Sequence, residues 1–338
     1  CRRPTDQIVP AVVQAPEYVP GEKLFYASAT PEGTGILIHA REGRPIKIAG
    51  NADHPITRGG VMATEVASLM DLYDPDRLRY PVTLRNGRKR RAAQNDIIAE
   101  AQSAAKAGNY VILTGPINSP STKALIADFL KSNPGGRHLE MRPDPTLRQI
   151  LEGQAASYGD RIVPFYRFDR AELVVTIEAD FMGTMPGSSA YTADYMRGRD
   201  LRAKGSKYNS LIAFESMFTV TGSNAESRVP IRPGDAVTVA LSLAAHINNG
   251  LKQGKFAGNG QVSDLLKNYM PEKVASALGI EAQAISSAAD ALWKYRGRSL
   301  VVGGSPQGAV GKAAALAIAV NLLNSILEND GVTVDHAH

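Results

Sequence analysis

Cys1 is the only cysteine in the 338-residue chain, and it stands first. A thiol at that place, with no initiator methionine before it, fits the processing that matures bacterial lipoproteins. The expectation is a covalent lipid on Cys1. Each buried CH₂ contributes about 0.8 kcal/mol, so two or three acyl chains would hold a folded body at a bilayer. Arg2 and Arg3 follow and would suit anionic headgroups beside such an anchor. A single cysteine also rules out internal disulfides, and rules out a Cys-ligated iron–sulfur cluster or zinc site built from this chain alone. His39, His54, His138 and His246 are dispersed, and His336 and His338 close the chain; none has the HExxH spacing of a metal helix.

Three glycine-bearing loops follow apolar runs: Thr114-Gly115-Pro116-Ile117-Asn118-Ser119, Ala179-Asp180-Phe181-Met182-Gly183 and Gly303-Gly304-Ser305-Pro306-Gln307. Glycine lets a backbone approach a phosphate, and a helix amino terminus after the loop favours negative charge. None is a GxGxxG or a Walker A sequence, so they read first as turns and only second as anion sites. Ser188, Ser189 and Ser216 lack a GxSxG setting. Asp74, Asp76, Glu172, Glu178 and Asp180 form no pair that spacing alone would put on one catalytic face; Asp74 and Asp76 read as a turn and a helix cap. The strongest charge feature is Arg85-Asn86-Gly87-Arg88-Lys89-Arg90-Arg91, an Asn-Gly hairpin tip. Arg88, Lys89, Arg90 and Arg91 could contact lipid phosphates or an acidic partner. Nucleic acid is disfavoured, because no aromatic residues interleave with the charges.

The elements that must position these residues follow from periodicity and punctuation. Residues 1–31 carry Pro4, Pro10, Pro16, Pro20 and Pro31 and read as an extended arm. Residues 32–94 read as a small β-rich domain, opened by a hairpin of Ile36-Leu37-Ile38 and Ile46-Lys47-Ile48 and followed by a helix from Val61 to Leu72. From 95 to 338 strands and helices alternate. Tyr110–Thr114, Leu173–Ile177, Ser210–Phe214 and Ser299–Gly304 are apolar runs. Between them lie helices at 95–106, 121–131, 146–157, 191–203, 236–246, 263–278 (Ser263 as cap, Pro271 as break), 285–295 and 310–327. Strands that are apolar throughout and separated by helices predict a mostly parallel sheet covered on both faces, an α/β fold. The 43% hydrophobic and 21% charged composition is that of a globular protein, and the net charge of +5 is modest. The run Ala313–Leu327 is too short and too interrupted to span a bilayer.

Four stretches together carry a resemblance. They are Gly43-Arg44-Pro45-Ile46-Lys47-Ile48-Ala49-Gly50-Asn51; His54-Pro55 with Gly59-Gly60; Leu72-Tyr73-Asp74-Pro75-Asp76-Arg77-Leu78 with Pro81; and Arg228-Val229-Pro230-Ile231-Arg232-Pro233-Gly234-Asp235-Ala236-Val237. They are similar to motifs of the molybdopterin oxidoreductases. The departures are informative. Where that family usually places its last cluster cysteine stands Val61-Met62, and Ala63-Thr64 replace the lysine that follows it. Cys1-Arg2-Arg3-Pro4 with Ile8-Val9-Pro10 resembles the B-subunit family of alternative complex III, a bacterial membrane quinol oxidoreductase.

That resemblance implies a cofactor-free, non-catalytic body resembling a molybdopterin enzyme, with a degenerate iron–sulfur domain at its start. It implies iron–sulfur clusters and haem c on partners: the iron–sulfur-bearing portion of the B subunit, multihaem and monohaem cytochrome c subunits, and integral quinol-binding subunits. It implies a lipid-anchored place on the outer face of a bacterial inner membrane. Two further readings stand beside it. One is half of a split molybdenum or tungsten oxidoreductase; the other is a free-standing lipoprotein that binds a small anion at the strand-end loops.

Overall fold

The structure is a computed structural model that describes residues 19, 21–41, 43–141, 145–200, 202, 208–304 and 313–336. The chain divides into two compact units, one of residues 1–54 and 63–143, the other of residues 55–62 and 144–338. The stretch from residue 95 to 141 therefore groups with the amino-terminal sheet.

In the first unit, β1 (Leu24–Ala29), β2 (Gly35–Arg41) and β3 (Arg44–Gly50) form an antiparallel sheet in that order. The hairpin expected around residues 41–45 is β2–β3. The partner strand β1 lies inside the segment read as an extended arm, and it pairs Leu24 with Ala40 through to Ala29 with Gly35. Only Leu24 of β1 is even partly covered, which explains why no alternation marked it as a strand. The helix expected from Val61 to Leu72 is two short ones, α1 (Ala63–Ala67) and α2 (Leu69–Tyr73). Ser68 parts them: its hydroxyl donates back to the Glu65 carbonyl at 2.7 Å, a local bond that competes with the helix ladder. Asp74 accepts from the Asp76 N–H at 2.8 Å and closes the turn after α2. Next come β4 (Val82–Arg85) and β5 (Arg88–Arg91), an antiparallel pair. Their tip places Asn86 at φ 51° and Gly87 at φ 71°, the two left-handed residues that a two-residue hairpin turn requires. Then α3 (Gln94–Lys106), β6 (Tyr110–Thr114), α4 (Pro120–Ser132) and β7 (Gly136–Glu140) make one parallel strand–helix–strand unit, with Tyr110 beside Gly136 and Thr114 beside Glu140.

In the second unit the elements are α5 (Thr146–Tyr158), β8 (Phe165–Tyr166), β9 (Leu173–Ile177), α6 (Ser188–Arg197), β10 (Ser210–Glu215), α7 (Val220–Ser223), β11 (Ser227–Pro230) and α8 (Ala236–Ala245). After a π-helical turn (His246–Gly250) come α9 (Gly260–Leu266), α10 (Pro271–Leu278), α11 (Ala282–Lys294), β12 (Ser299–Gly303), α12 (Ala313–Ile326) and β13 (Val334–Asp335). The sheet is parallel, in the order β11-β10-β9-β12. All residues of β9 and β12 are buried, as continuous apolar runs in a doubly covered sheet require. Leu173, Val175 and Ile177 face a core built with α8, α10, α11 and α12. Val174, Leu211, Leu300 and Val302 face another, built with Phe168, Phe181, Tyr191 and Tyr195. Several expected helix bounds move. Asn259, not Ser263, caps α9, accepting from the Gln261 and Val262 N–H groups; α10 then starts afresh at Pro271. The helix expected over 191–203 is α6, which starts three residues earlier and stops before Gly198. Residues 305–312, where the last helix was expected to begin, lie outside the described residues.

The segment of residues 55–62 is held to this unit by charge. One guanidinium nitrogen of Arg58 donates to both carboxylate oxygens of buried Asp194 at 2.6 Å, and Arg197 adds a contact at 2.7 Å. Gly60 lies so close to the Ser189 carbonyl that a Cβ would stand 2.1 Å from it.

Among the described residues no strand flanks the outer edge of β12. Instead Asn324 of α12 accepts from the Val301 N–H at 3.1 Å and donates to the Val301 carbonyl at 2.9 Å. Asn329 donates to Asn324 at 2.9 Å, and the Thr333 hydroxyl donates to the Ser299 carbonyl at 2.6 Å. Replacing Asn324 by Leu keeps the size and orphans both polar groups of Val301. The expected cost is roughly 2–6 kcal/mol, from about 1–3 kcal/mol for each of the two buried groups left unbonded. Urea unfolding of the variant checks this; an unchanged midpoint would contradict it.

Candidate strand-end crevice

Because β9, β10 and β12 run parallel, their carboxyl ends meet at one edge, with Ile177 beside both Phe214 and Gly303. In open α/β sheets this is where ligands enter. Two of the three glycine-bearing loops arise here, after β9 and after β12. The third, after β6, belongs to the other unit; there Ser119 caps α4 through the Thr122 N–H at 3.2 Å, and Thr114 meets His138 at 2.8 Å.

Three carboxylates, Glu178, Asp180 and Glu215, stand at this strand-end edge, and each is used by the chain itself. Glu178 stands directly after β9 in the left-handed region, φ 55°, a rare state for a residue with a side chain. Its carboxylate accepts from the Ser216 N–H at 3.1 Å. Burial pushes the Glu178 carboxyl above its ordinary range and the charge of Glu215 adds to this, although the bonds from Ser216 work the other way. Asp180 is buried. One oxygen accepts from the Thr221 N–H at 3.0 Å and the Thr221 hydroxyl at 2.8 Å; the other accepts from the Thr184 N–H at 3.2 Å. Glu215, also buried, accepts from the Thr219 N–H at 3.3 Å, the Thr219 hydroxyl at 2.6 Å and Arg228 Nε at 2.5 Å. Gly222 packs against the same carboxylate: a Cβ there would stand 1.8 Å from Glu215 Oε1. Arg228 in turn lies over the Phe218 ring, 5.0 Å from its centroid.

Spacing did not foretell this cluster. Glu178 and Asp180 belong to a set of acidic residues that spacing does not pair, Arg228 enters only through the resemblance, and nothing in the sequence singles out Glu215, Thr219 or Thr221 as their companions. The signal available was an acidic residue directly after two neighbouring apolar runs, Glu178 after Leu173–Ile177 and Glu215 after Ser210–Phe214. Glu172 belongs elsewhere: it precedes β9 and pairs with Arg298 at 2.9 Å.

The other candidate residues belong to the other unit or lie outside the described residues. Arg88, Lys89, Arg90 and Arg91 form the exposed strand β5, and Arg91 stacks over Tyr80 at 4.3 Å. Cys1, Arg2 and Arg3 lie outside the described residues, as do Ser305, Pro306 and Gln307 of the third loop. Among the described residues no group of His, Cys, Asp or Glu is arranged to hold a metal ion, and no helix is long and apolar enough to cross a membrane.

No protein-family model matches the sequence. The chain is similar to the menaquinone reductase, molybdopterin-binding-like subunit of Nitratidesulfovibrio vulgaris, 24% identical over 314 residues, covering 89% of this chain and 44% of the relative. It is similar to the probable oxidoreductase YoaE of Bacillus subtilis, 24% identical over 297 residues, covering 82% of this chain and 42% of the relative. Its fold is similar to that of acetylene hydratase from Pelobacter acetylenicus, with a TM-score of 0.60 at 15% identity, over 91% of this chain and 42% of that one. The chain is thus molybdopterin-oxidoreductase-like, and it spans less than half the length of the relatives it matches.

The name of the first relative raises a pterin cofactor, and the crevice allows a test of fit. A pterin dinucleotide carries phosphates, which need free N–H donors or cations. Here the N–H groups of Thr219, Thr221, Thr184 and Ser216 already bond to Glu215, Asp180 and Glu178, and Arg228 is paired with Glu215. Phosphates at these donors would meet three carboxylates. The described residues at this edge do not fit the group.

The raised carboxyl of Glu178 gives a pH test. A group whose folded pKa lies above its unfolded value contributes stability below the unfolded pKa, about 4.3 for Glu, and loses that contribution as pH rises through the folded value. Glu178→Gln stays neutral throughout. It is expected to raise Tm at pH 7 and to leave it unchanged at pH 4, read by thermal unfolding at both pH values. A lower Tm at pH 7 would mean that the bond to Ser216 outweighs burial.

Proposed function

We propose that this chain is a structural, non-catalytic part of a membrane-bound quinol oxidoreductase, in the role held by the B subunit of alternative complex III. The observation that carries the reading is the crevice whose donors are occupied by the chain's own Glu178, Asp180 and Glu215. A body of this fold with that edge self-satisfied is suited to hold partners in place. The relative named as a menaquinone reductase subunit supports a link to quinone chemistry.

In this reading a lipid on Cys1 holds the chain at the outer face of a bacterial inner membrane, with Arg2 and Arg3 beside the headgroups. Arg88, Lys89, Arg90 and Arg91 face a partner or the headgroups. Iron–sulfur clusters and haem c sit on neighbouring polypeptides: the iron–sulfur-bearing portion of the B subunit and the multihaem and monohaem cytochrome c subunits. Quinol is oxidised in integral membrane subunits. Electrons pass between those partners, and the work of this chain is to fix the distances between them.

The test is purification of the assembly through a tag on this chain, followed by elemental and pterin analysis. Molybdenum and tungsten are expected far below stoichiometry, with no pterin released on oxidation. Either metal in stoichiometric amount would replace this reading with that of a split molybdenum or tungsten enzyme. Intact mass of the amino-terminal peptide is expected to show acyl chains on Cys1; an unmodified thiol would remove the anchor from the proposal.

A further inference from the structure

The second unit carries another recess, apart from the strand-end loops. A cavity of about 530 Å³ opens to solvent between Asn248, Asn249, Lys252, Ala257, Gly258 and Ser263. That volume lies within the roughly 300–1,000 Å³ usual for small-molecule sites. None of these residues belongs to β9, β10 or β12, or to the loops after them. The π-helical turn that follows α8 builds one wall. Such a turn inserts a residue into a helix, and π-turns are frequent at functional sites. Here it sets two amides side by side. Asn248 Nδ2 donates to Asn249 Oδ1 at 2.8 Å and to Ser263 Oγ of α9 at 3.3 Å, and Asn249 Nδ2 donates to the Ser263 carbonyl at 3.0 Å. Just beyond the turn Lys252 takes φ 54°, a left-handed state uncommon for a residue with a side chain. Its ammonium has no ion pair or hydrogen-bond partner among the described residues. Asn248 is only 2% exposed, yet its Oδ1 has no hydrogen-bond partner among the described residues. Of the buried side-chain atoms left in that state, it is the one whose residue lines the cavity.

The donors and acceptors left over define the ligand. Both N–H groups of Asn248 are used, and one of the two on Asn249. The Lys252 ammonium, the Ser263 O–H and the second N–H of Asn249 remain as donors, and Asn248 Oδ1 remains as an acceptor. One charged donor beside two neutral ones suits an oxyanion. A single ammonium balances a single negative charge, which favours a carboxylate over a phosphate dianion. The buried acceptor requires an N–H or O–H on the same molecule, because leaving it unbonded is costly. We propose that this cavity binds a small carboxylic acid with a hydroxyl or amino group on the neighbouring carbon. Its carboxylate meets Lys252 and the Ser263 hydroxyl, and its O–H or N–H donates to Asn248 Oδ1. The proposal goes beyond the subunit reading and does not depend on it.

The test is calorimetric titration of the full 338-residue chain with four probes of one carbon skeleton. Lactate carries the acid and a hydroxyl, alanine the acid and an amine, propionate the acid alone, and lactamide the hydroxyl without the acid; the chiral probes are used as both enantiomers. Lactate or alanine is expected to bind at least about tenfold more tightly than propionate and lactamide. Whichever of the two binds better names the donor. Propionate binding as tightly as either would overturn the proposal, and so would no binding by any probe at about 50 mM. Lys252→Met, at an exposed site, is expected to leave Tm unchanged and to weaken the better probe at least about tenfold. Ser263→Ala, which removes a donor and keeps the backbone, is expected to weaken it in the same direction. Binding that survives Lys252→Met unchanged would put the probe elsewhere and overturn the proposal. Metal analysis of the assembly, which decides the subunit reading, has no bearing on these outcomes.

Discussion

The pairing of one buried amide with one backbone position sets the limit of the larger sheet. Asn324 gives Val301 the donor and the acceptor that a neighbouring strand would have supplied. A buried peptide group without partners costs more than most side-chain contacts return, so an edge inside the core must be bonded or moved to solvent. Here α12 does the bonding, with Asn329 and Thr333 extending the network along Ser299. The sheet can then end at β12 and remain covered on both faces. Everything that the strand ends present, including the carboxylate cluster, depends on that register.

The crevice follows the same logic with charge in place of amides. Buried carboxylates are tolerated when hydrogen bonds replace the lost water. Asp180 and Glu215 each take a backbone N–H and a threonine hydroxyl, and Arg228 adds its charge to Glu215. The loops at this edge are in effect built around anions carried by the chain. The edge thus joins structure where a related fold could leave it free for a ligand.

Much of the fold was legible because its strongest elements obey simple rules. Leu173–Ile177 and Ser299–Gly303 are buried on both faces, so every residue is apolar or small, and their bounds came within a residue of the sequence expectation. The Asn86–Gly87 tip was legible because few residues accept positive φ at both turn positions. What escaped was short or depended on partners. The strands β8 and β13 have two residues each and exist through pairing with one another. The strand β1 is nearly all exposed and shows no alternation. The division of one helix into α1 and α2 turned on a single hydroxyl at Ser68. The crevice escaped for a related reason. Glu178 and Glu215 end neighbouring strands only once the register of β9 and β10 is known, and no spacing within either segment contains that register.

The tight seat of Gly222 against the Glu215 carboxylate reaches beyond stability. A side chain at 222 has no room while a glutamate occupies 215, and losing the glutamate leaves Arg228 without its counter-ion. Positions 215, 222 and 228 are thus coupled in space, and opening this edge to a ligand would call for changes at all three.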